Sequence, residues 1–163
     1  MTTGFMEFDI VVRSEITIDA PPEAVWYQLS RLQEWKDSIH SLERIAGQPG
    51  EVGEVLKIGQ RRGDSIVFVT QKTLETIAPS RKVEYLETED GKAARGYIIY
   101  SMGDQGASTW VCCDLLIRSA VPFERVEGAG VEHMAGQARL ATREKLDEDH
   151  RVLKSLLEKG GNQ

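Results

Sequence analysis

Between Glu7 and Ile18 apolar and polar residues alternate. Phe8, Ile10, Val12, Ile16 and Ile18 are apolar, broken only by Ser14, while Glu7, Asp9, Arg13, Glu15 and Thr17 are polar, with Val11 the exception. A period of two predicts a strand with one face buried and the other wet. The period then lengthens. Asp19 can cap a helix, Pro21 and Pro22 suit a first turn that needs no backbone donors, and Val25, Trp26, Leu29 and Leu32 follow at helical spacing. A second short helix is expected to hold Trp35 and Ile39 and to end near His40.

From Ser41 to Ala120 the pattern is that of strands and tight turns. Turn residues cluster at Gly47–Gly50, Arg62–Ser65, Ala78–Ser80, Glu89–Lys92 and Asp104–Ala107. Between them lie the β-rich runs Glu54–Gln60, Ile66–Ile77, Lys82–Thr88, Gly96–Met102 and Thr109–Ser119. Asp-Gly and Gly-Asp pairs flanked by such runs mark hairpins, and strands this closely spaced pair antiparallel as a meander. Pro122 stops the last run, and Gly128, Gly130 and Gly136 interrupt the stretch after it. A long helix is predicted from about Gln137 to Lys159, ended by Gly160 and Gly161. Ala138, Thr142, Leu146, His150, Leu153 and Leu157 form its apolar stripe. At 1.5 Å per residue it reaches about 34 Å, enough to cross a six- or seven-stranded sheet.

The order is strand, two short helices, about six strands and one long helix. It predicts an α+β helix-grip fold, a curved antiparallel sheet of six to seven strands wrapped around the C-terminal helix. One domain is expected over residues 1–163, with its core at about 7–159, because no repeat, linker or low-complexity tract divides the chain.

Ile16-Thr17-Ile18-Asp19-Ala20-Pro21-Pro22-Glu23-Ala24-Val25-Trp26 resembles the opening of the START-like superfamily, also called SRPBCC, which includes polyketide cyclase/dehydrase-like proteins. Trp35 stands where that family places a tryptophan in its second helix. Gly50-Glu51-Val52-Gly53 resembles its approach to the next strand, and Leu153-Lys154-Ser155-Leu156-Leu157-Glu158 its closing motif. The resemblance runs from about Phe8 to Glu158. It implies a pocket between the concave face of the sheet and the long helix, in which members bind lipids, sterols, polyketides, quinones or plant hormones. Some members catalyse cyclisation or dehydration. The superfamily shares no universal catalytic motif, so the resemblance assigns no catalytic residue.

Composition narrows the partners. Hydrophobic residues make up 40% of the chain and charged residues 28%, as in ordinary globular proteins. The net charge is −6, with both signs interleaved and no basic stripe, which argues against nucleic acid as a partner. Stable membrane insertion is not expected, because no apolar run approaches a membrane span. The N-terminus lacks the regions of a signal peptide, and Cys112 and Cys113 are adjacent, so a reducing cytoplasm is the expected location. Either a monomer or a dimer is compatible with the sequence.

The first half of the long helix's stripe is small, with Ala138, Ala141 and Thr142, and its second half is large, with Leu146, Leu153, Leu156 and Leu157. Small residues under a curved sheet leave a gap about a ligand wide, unless a strand residue such as Phe68 or Tyr100 reaches across and fills it. In the last strand Thr109, Val111, Cys113, Leu115 and Ile117 are expected to face the helix, and Trp110, Cys112, Asp114 and Arg118 the other side. Ile98, Tyr100 and Met102 are the inward row before it, whereas Ile66–Ile77 is apolar in both phases. The candidate ligand-binding residues are Trp35, Ile39, His40, Phe68, Tyr85, Tyr100, Met102, Val111, Cys113, Met134, Ala138 and Thr142.

Tyr100 and His40 are the candidate acid–base groups. Tyr100 is either a pocket hydroxyl or a core tyrosine satisfied by the backbone, and His40 either a residue at the pocket mouth or an exposed loop histidine. His150 reads as a packed or snorkelling histidine, and His133 beside Met134 as a gate residue. No two histidines have ligand spacing and no phosphate-binding glycine pattern occurs, so neither a metal nor another cofactor is expected. Arg62-Gly63-Asp64-Ser65 is a turn. Three functions fit this reading. One is binding or transport of a hydrophobic lipid-, polyketide- or aromatic-like molecule. Another is a cyclase or dehydratase using polar groups of the pocket, and the last is a protein-interaction or assembly module.

Overall fold

A computed structural model describes residues 4–126 and 130–160; Met1–Thr3, Gly128 and Gly161 lie outside the described residues. The alternating N-terminal segment forms β1 (Phe5–Ile18), followed by α1 (Pro22–Leu29) and the single-turn α2 (Leu32–Trp35). The meander then runs through β2 (Ile39–Ala46), β3 (Val55–Arg62), β4 (Ser65–Ile77), β5 (Arg81–Thr88), β6 (Ala94–Asp104) and β7 (Thr109–Pro122). A 3-10 turn at Phe123–Arg125 leads toward the long helix α3 (Gly130–Gly160). All seven strands belong to one antiparallel sheet in the order β1-β7-β6-β5-β4-β3-β2. This is the expected helix-grip arrangement.

Two boundaries differ from the sequence reading. Lys36 has extended backbone angles, so α2 stops after one turn, and Ile39 and His40 begin β2 instead of closing a helix. Ile39 pairs with Gln60 and Leu42 with Ile58, and bulges after Ile39 and Arg44 disguise the strand's alternation. The long helix begins at Gly130, well before Gln137, and carries Gly136 inside it. A Cβ at Gly136 would meet open space, so neither packing nor close approach requires a glycine there.

Register fixes which side chains face α3. Ser14 lies opposite Cys113, which lies opposite Tyr100, which lies opposite Lys82. Directly paired residues share a face, so Val111, Cys113 and Leu115 point inward with Ile98, Tyr100 and Met102, as expected. The main core joins Ile18, Val25, Leu29, Trp35, Tyr100, Met102, Val111, Cys113, Leu146 and Leu153. A smaller cluster of Ile39, Ile58 and Val69 fills the β2–β4 end, and Leu32 packs against both. Between them the concave face is polar. Gln71, Thr73 and Glu84 are all buried there, and Gln71 Nε2 donates to Glu84 Oε2 at 2.6 Å.

α3 lies beside β1. Arg139 Nε donates to the Asp9 carbonyl at 3.1 Å and Lys154 Nζ to the Thr17 carbonyl at 2.7 Å, fastening the helix to the strand near both ends. Thr109 Oγ1 donates to the Ala20 carbonyl at 2.7 Å and ties the turn before α1 to β7. No helix among the described residues is long and apolar enough to cross a membrane.

Candidate functional site

Three spaces surround the region where α3 meets the concave face. The innermost, about 90 Å³, lies under α1 and is lined by Trp26, Leu29, Leu32, Thr76, Lys82, Glu84 and Tyr100, among others. A cleft of about 350 Å³ opens between the first half of α3 and the α2–β3 side. Its lining includes Leu115, Ala141, Thr142 and Leu146 together with Lys36, Ser38, Gln60, Arg61, Arg62, Lys145 and Asp149. On the opposite flank of α3 an open groove of about 850 Å³ runs along β1, with Arg13, Ser14, Leu140, Arg143, Asp147, His150 and Arg151 among its walls.

The inner cavity and the outer groove are joined by hydrogen bonds. Tyr100 Oη lies 3.0 Å from His150 Nε2, His150 Nδ1 lies 2.9 Å from Ser14 Oγ, and Ser14 Oγ donates to Asp147 Oδ1 at 2.5 Å. Proton positions follow from valence. Ser14 has one proton and gives it to the Asp147 carboxylate, so His150 Nδ1–H must donate to Ser14. Burial lowers the His150 pKa to about 4, so the ring is neutral and its Nε2 accepts the Tyr100 hydroxyl proton. Each donor therefore points from the inner cavity toward the outer groove.

Burial also pushes the Tyr100 pKa well above its ordinary value and the Cys113 thiol up to about 12. Cys113 is therefore an unreactive thiol, buried in the main core. Beside Tyr100, Lys82 Nζ stands 3.7 Å from Glu84 Oε2, an ion pair that is almost buried and faces the same small cavity.

The other sequence candidates separate by register and helix position. Trp35, Met102, Val111 and Cys113 pack around Tyr100 in the main core, and Ile39 in the smaller one. The Trp35 Nε1 is buried without a hydrogen-bond partner. Thr142 lines the cleft, while Met134 and Ala138 are half-buried nearer the start of α3. Phe68 and Tyr85 face away from α3. Phe68 pairs with Gly59 on the convex face beneath Lys57, and Tyr85 packs edge-on against Tyr97 in a convex-side groove. The reason is the inward phase of their neighbours Val69, Glu84 and Leu86, because adjacent residues in a strand point to opposite faces. Phe68 thus cannot fill the gap under α3. His40 is exposed, with Nδ1 3.4 Å from an Arg61 guanidinium nitrogen. His133 is exposed too. Among the described residues no group of three or more His, Cys, Asp or Glu is placed to hold a metal ion.

Sequence reasoning missed Lys36, Lys82, Glu84, Asp147 and Asp149, charged residues that an apolar pattern assigns to the surface. Ser14 alone left a signal, as the single polar break in the inward row of β1.

No family model matches the chain, and no curated protein is significantly similar to it. Solved structures do resemble it. A protein of unknown function from Staphylococcus aureus superposes with a TM-score of 0.74 at 12% identity, covering 96% of this chain and 98% of that one. The Zhui aromatase/cyclase from Streptomyces sp. R1128 gives 0.67 at 14% identity, covering 93% and 95%. A Thermus thermophilus protein gives 0.67 at 18%, covering 92% and 98%. Over nearly its whole length, the chain therefore shares its helix-grip fold with these structures.

Proposed function

We propose that the protein binds a small molecule with a hydrophobic body in the cleft between α3 and the α2–β3 side. The observation that carries this reading is the step in side-chain size along α3. Ala141 and Thr142 leave about 350 Å³ open against Leu115 and Leu146, within the usual range for small-molecule sites. The fold likeness to an aromatase/cyclase and other helix-grip proteins supports the reading. Native mass spectra of protein purified from its own host test it. A mass increment that disappears on denaturation, and that is absent from Thr142→Trp, is the expected result. An unliganded mass throughout, with no change in Thr142→Trp, would count against it.

A second reading, catalysis by proton transfer, is favoured by the directed chain from Tyr100 to Asp147. A proton accepted from a substrate at Tyr100 Oη would send the tyrosine's own proton to His150 Nε2. The Nδ1 proton would pass to Ser14 Oγ, and the Ser14 proton to Asp147, which releases it into the outer groove. Lys82 at the same cavity could stabilise the charge left on the substrate. This is the type of step that enolisation in a cyclase or dehydratase requires. This reading requires the bound molecule to reach from the cleft to Tyr100 in the inner cavity, and Tyr100→Phe should then abolish its turnover and leave its affinity within a few-fold. Unchanged turnover would remove this reading.

A further inference from the structure

The cleft's charge is opposite to that of the whole protein. Lys36, Arg61, Arg62 and Lys145 line it against the single carboxylate Asp149, in a chain whose net charge is −6. Most of these cations are already engaged. Lys145 pairs with Asp37 and with Asp149, the latter at 3.2 Å. Arg61 donates to the Asp37 and Ile39 carbonyls, and Arg62 to Gln60 Oε1. Lys36 differs. It is half-buried, its ammonium lies 4.9 Å from the centre of the Trp35 ring, and among the described residues it makes no salt bridge or side-chain hydrogen bond. Its charge is felt deep in the grip, where it lowers the pKa of Asp149 against the larger raising effect of burial and adds to the burial that lowers that of His150. A cation drawn partly out of water without a direct ion pair loses hydration that the Trp35 ring and the field of Asp149 replace only in part.

We propose that the molecule bound in the cleft is an organic acid, an aromatic or alkyl body bearing a carboxylate, sulfonate or phosphate, and that Lys36 binds its acidic group. The inference rests on the binding reading given above. The hydrophobic body lies on Leu115, Thr142 and Leu146, and the acid meets Lys36. Lys36, over an aromatic ring and beside apolar floor residues, is placed where a charge-assisted hydrogen bond is least screened by solvent.

Two dyes with one aromatic body separate the claims. 8-Anilinonaphthalene-1-sulfonate carries an acid, and N-phenyl-1-naphthylamine is the same frame without it. Fluorescence titration of the intact protein is expected to show the sulfonate binding about tenfold or more tightly than the neutral dye. Lys36→Gln should erase that difference, Lys36→Arg should retain most of it, and Thr142→Trp should remove both dyes. Arg143→Gln, on the outer groove, should change neither. Equal affinities that Thr142→Trp abolishes would overturn the acid assignment and leave the binding reading standing. A sulfonate preference lost in Arg143→Gln but kept in Lys36→Gln would also overturn it, by placing the anion across the helix. Failure of both dyes to respond to Thr142→Trp would overturn the binding reading itself and the inference with it. Circular dichroism of each variant confirms that the fold is retained.

Discussion

From Leu146 onward α3 buries Leu146, His150 and Leu153, whereas residues 130–145 bury little, and the two openings flank the middle of the helix over residues 139–151. One continuous helix thus does two jobs. Its second half anchors the core, including the buried link from His150 to Ser14 and Tyr100. Its first half leaves its side chains half-buried or exposed. Ala135 is the exception, being fully buried near the start. The contrast shows that most of the helix's burial lies in its second half, although Arg139 and Lys154 fasten it to β1 on both sides of the middle.

Mutation should expose this asymmetry. Leu153 is wholly buried, so Leu153→Ala is expected to cost about 2–5 kcal/mol, read as a fall in the urea midpoint. A loss below about 1 kcal/mol would mean that the second half is not the anchor. Acid provides the next largest effect. The folded pKa of His150, about 4, lies below its ordinary value of 6.5, so the unfolded chain takes up a proton first as the pH falls. The contribution of His150 is complete above pH 6.5 and is lost as the pH drops toward 4. Between about pH 7 and pH 5 the loss is about 2 kcal/mol. Urea unfolding of wild type and His150→Gln at both pH values checks this, since the variant should lack that component.

The first half of the helix should respond in the opposite sense. Gly136 sits inside α3 facing open space, so Gly136→Ala should stabilise the protein by about 0.5–1 kcal/mol in the same assay. Destabilisation there would show that the first half needs its flexibility to close on the sheet. The smallest change is expected at Leu140, which is 55% exposed. Leu140→Ala should stay within about 0.5 kcal/mol, and a larger cost would reveal packing across the outer groove.

Much of the fold was legible because period and turn chemistry are local properties. The alternation of β1, the prolines at the start of α1 and the stripe from Ala138 to Leu157 each predicted an element that the structure contains. β2 escaped because two bulges interrupt its pairing, and Phe68 and Tyr85 were misplaced because β4 and its neighbour β5 bury polar residues. Where Gln71, Thr73 and Glu84 face inward, hydrophobicity points to the wrong side of the strand. The site was less legible for the same reason. Ser14 stood out as an anomaly, but nothing local connects it with Asp147 and His150 on a helix at the far end of the chain. Lys36 reads as an ordinary surface lysine until α2 ends after one turn and turns it over Trp35.

The fastening of α3 along β1 has a further consequence. A sheet that does not close into a barrel leaves two outer strands, whose free backbone groups can recruit a strand from another molecule and start aggregation. On β1, Arg139 and Lys154 occupy two of the carbonyls that such a strand would need. On β2 the protection is geometric, because the two bulges break the straight run of backbone groups, and Glu43 and Arg44 add exposed charge. The protein can therefore hold its sheet open around a cleft without offering either border as a template for fibre growth.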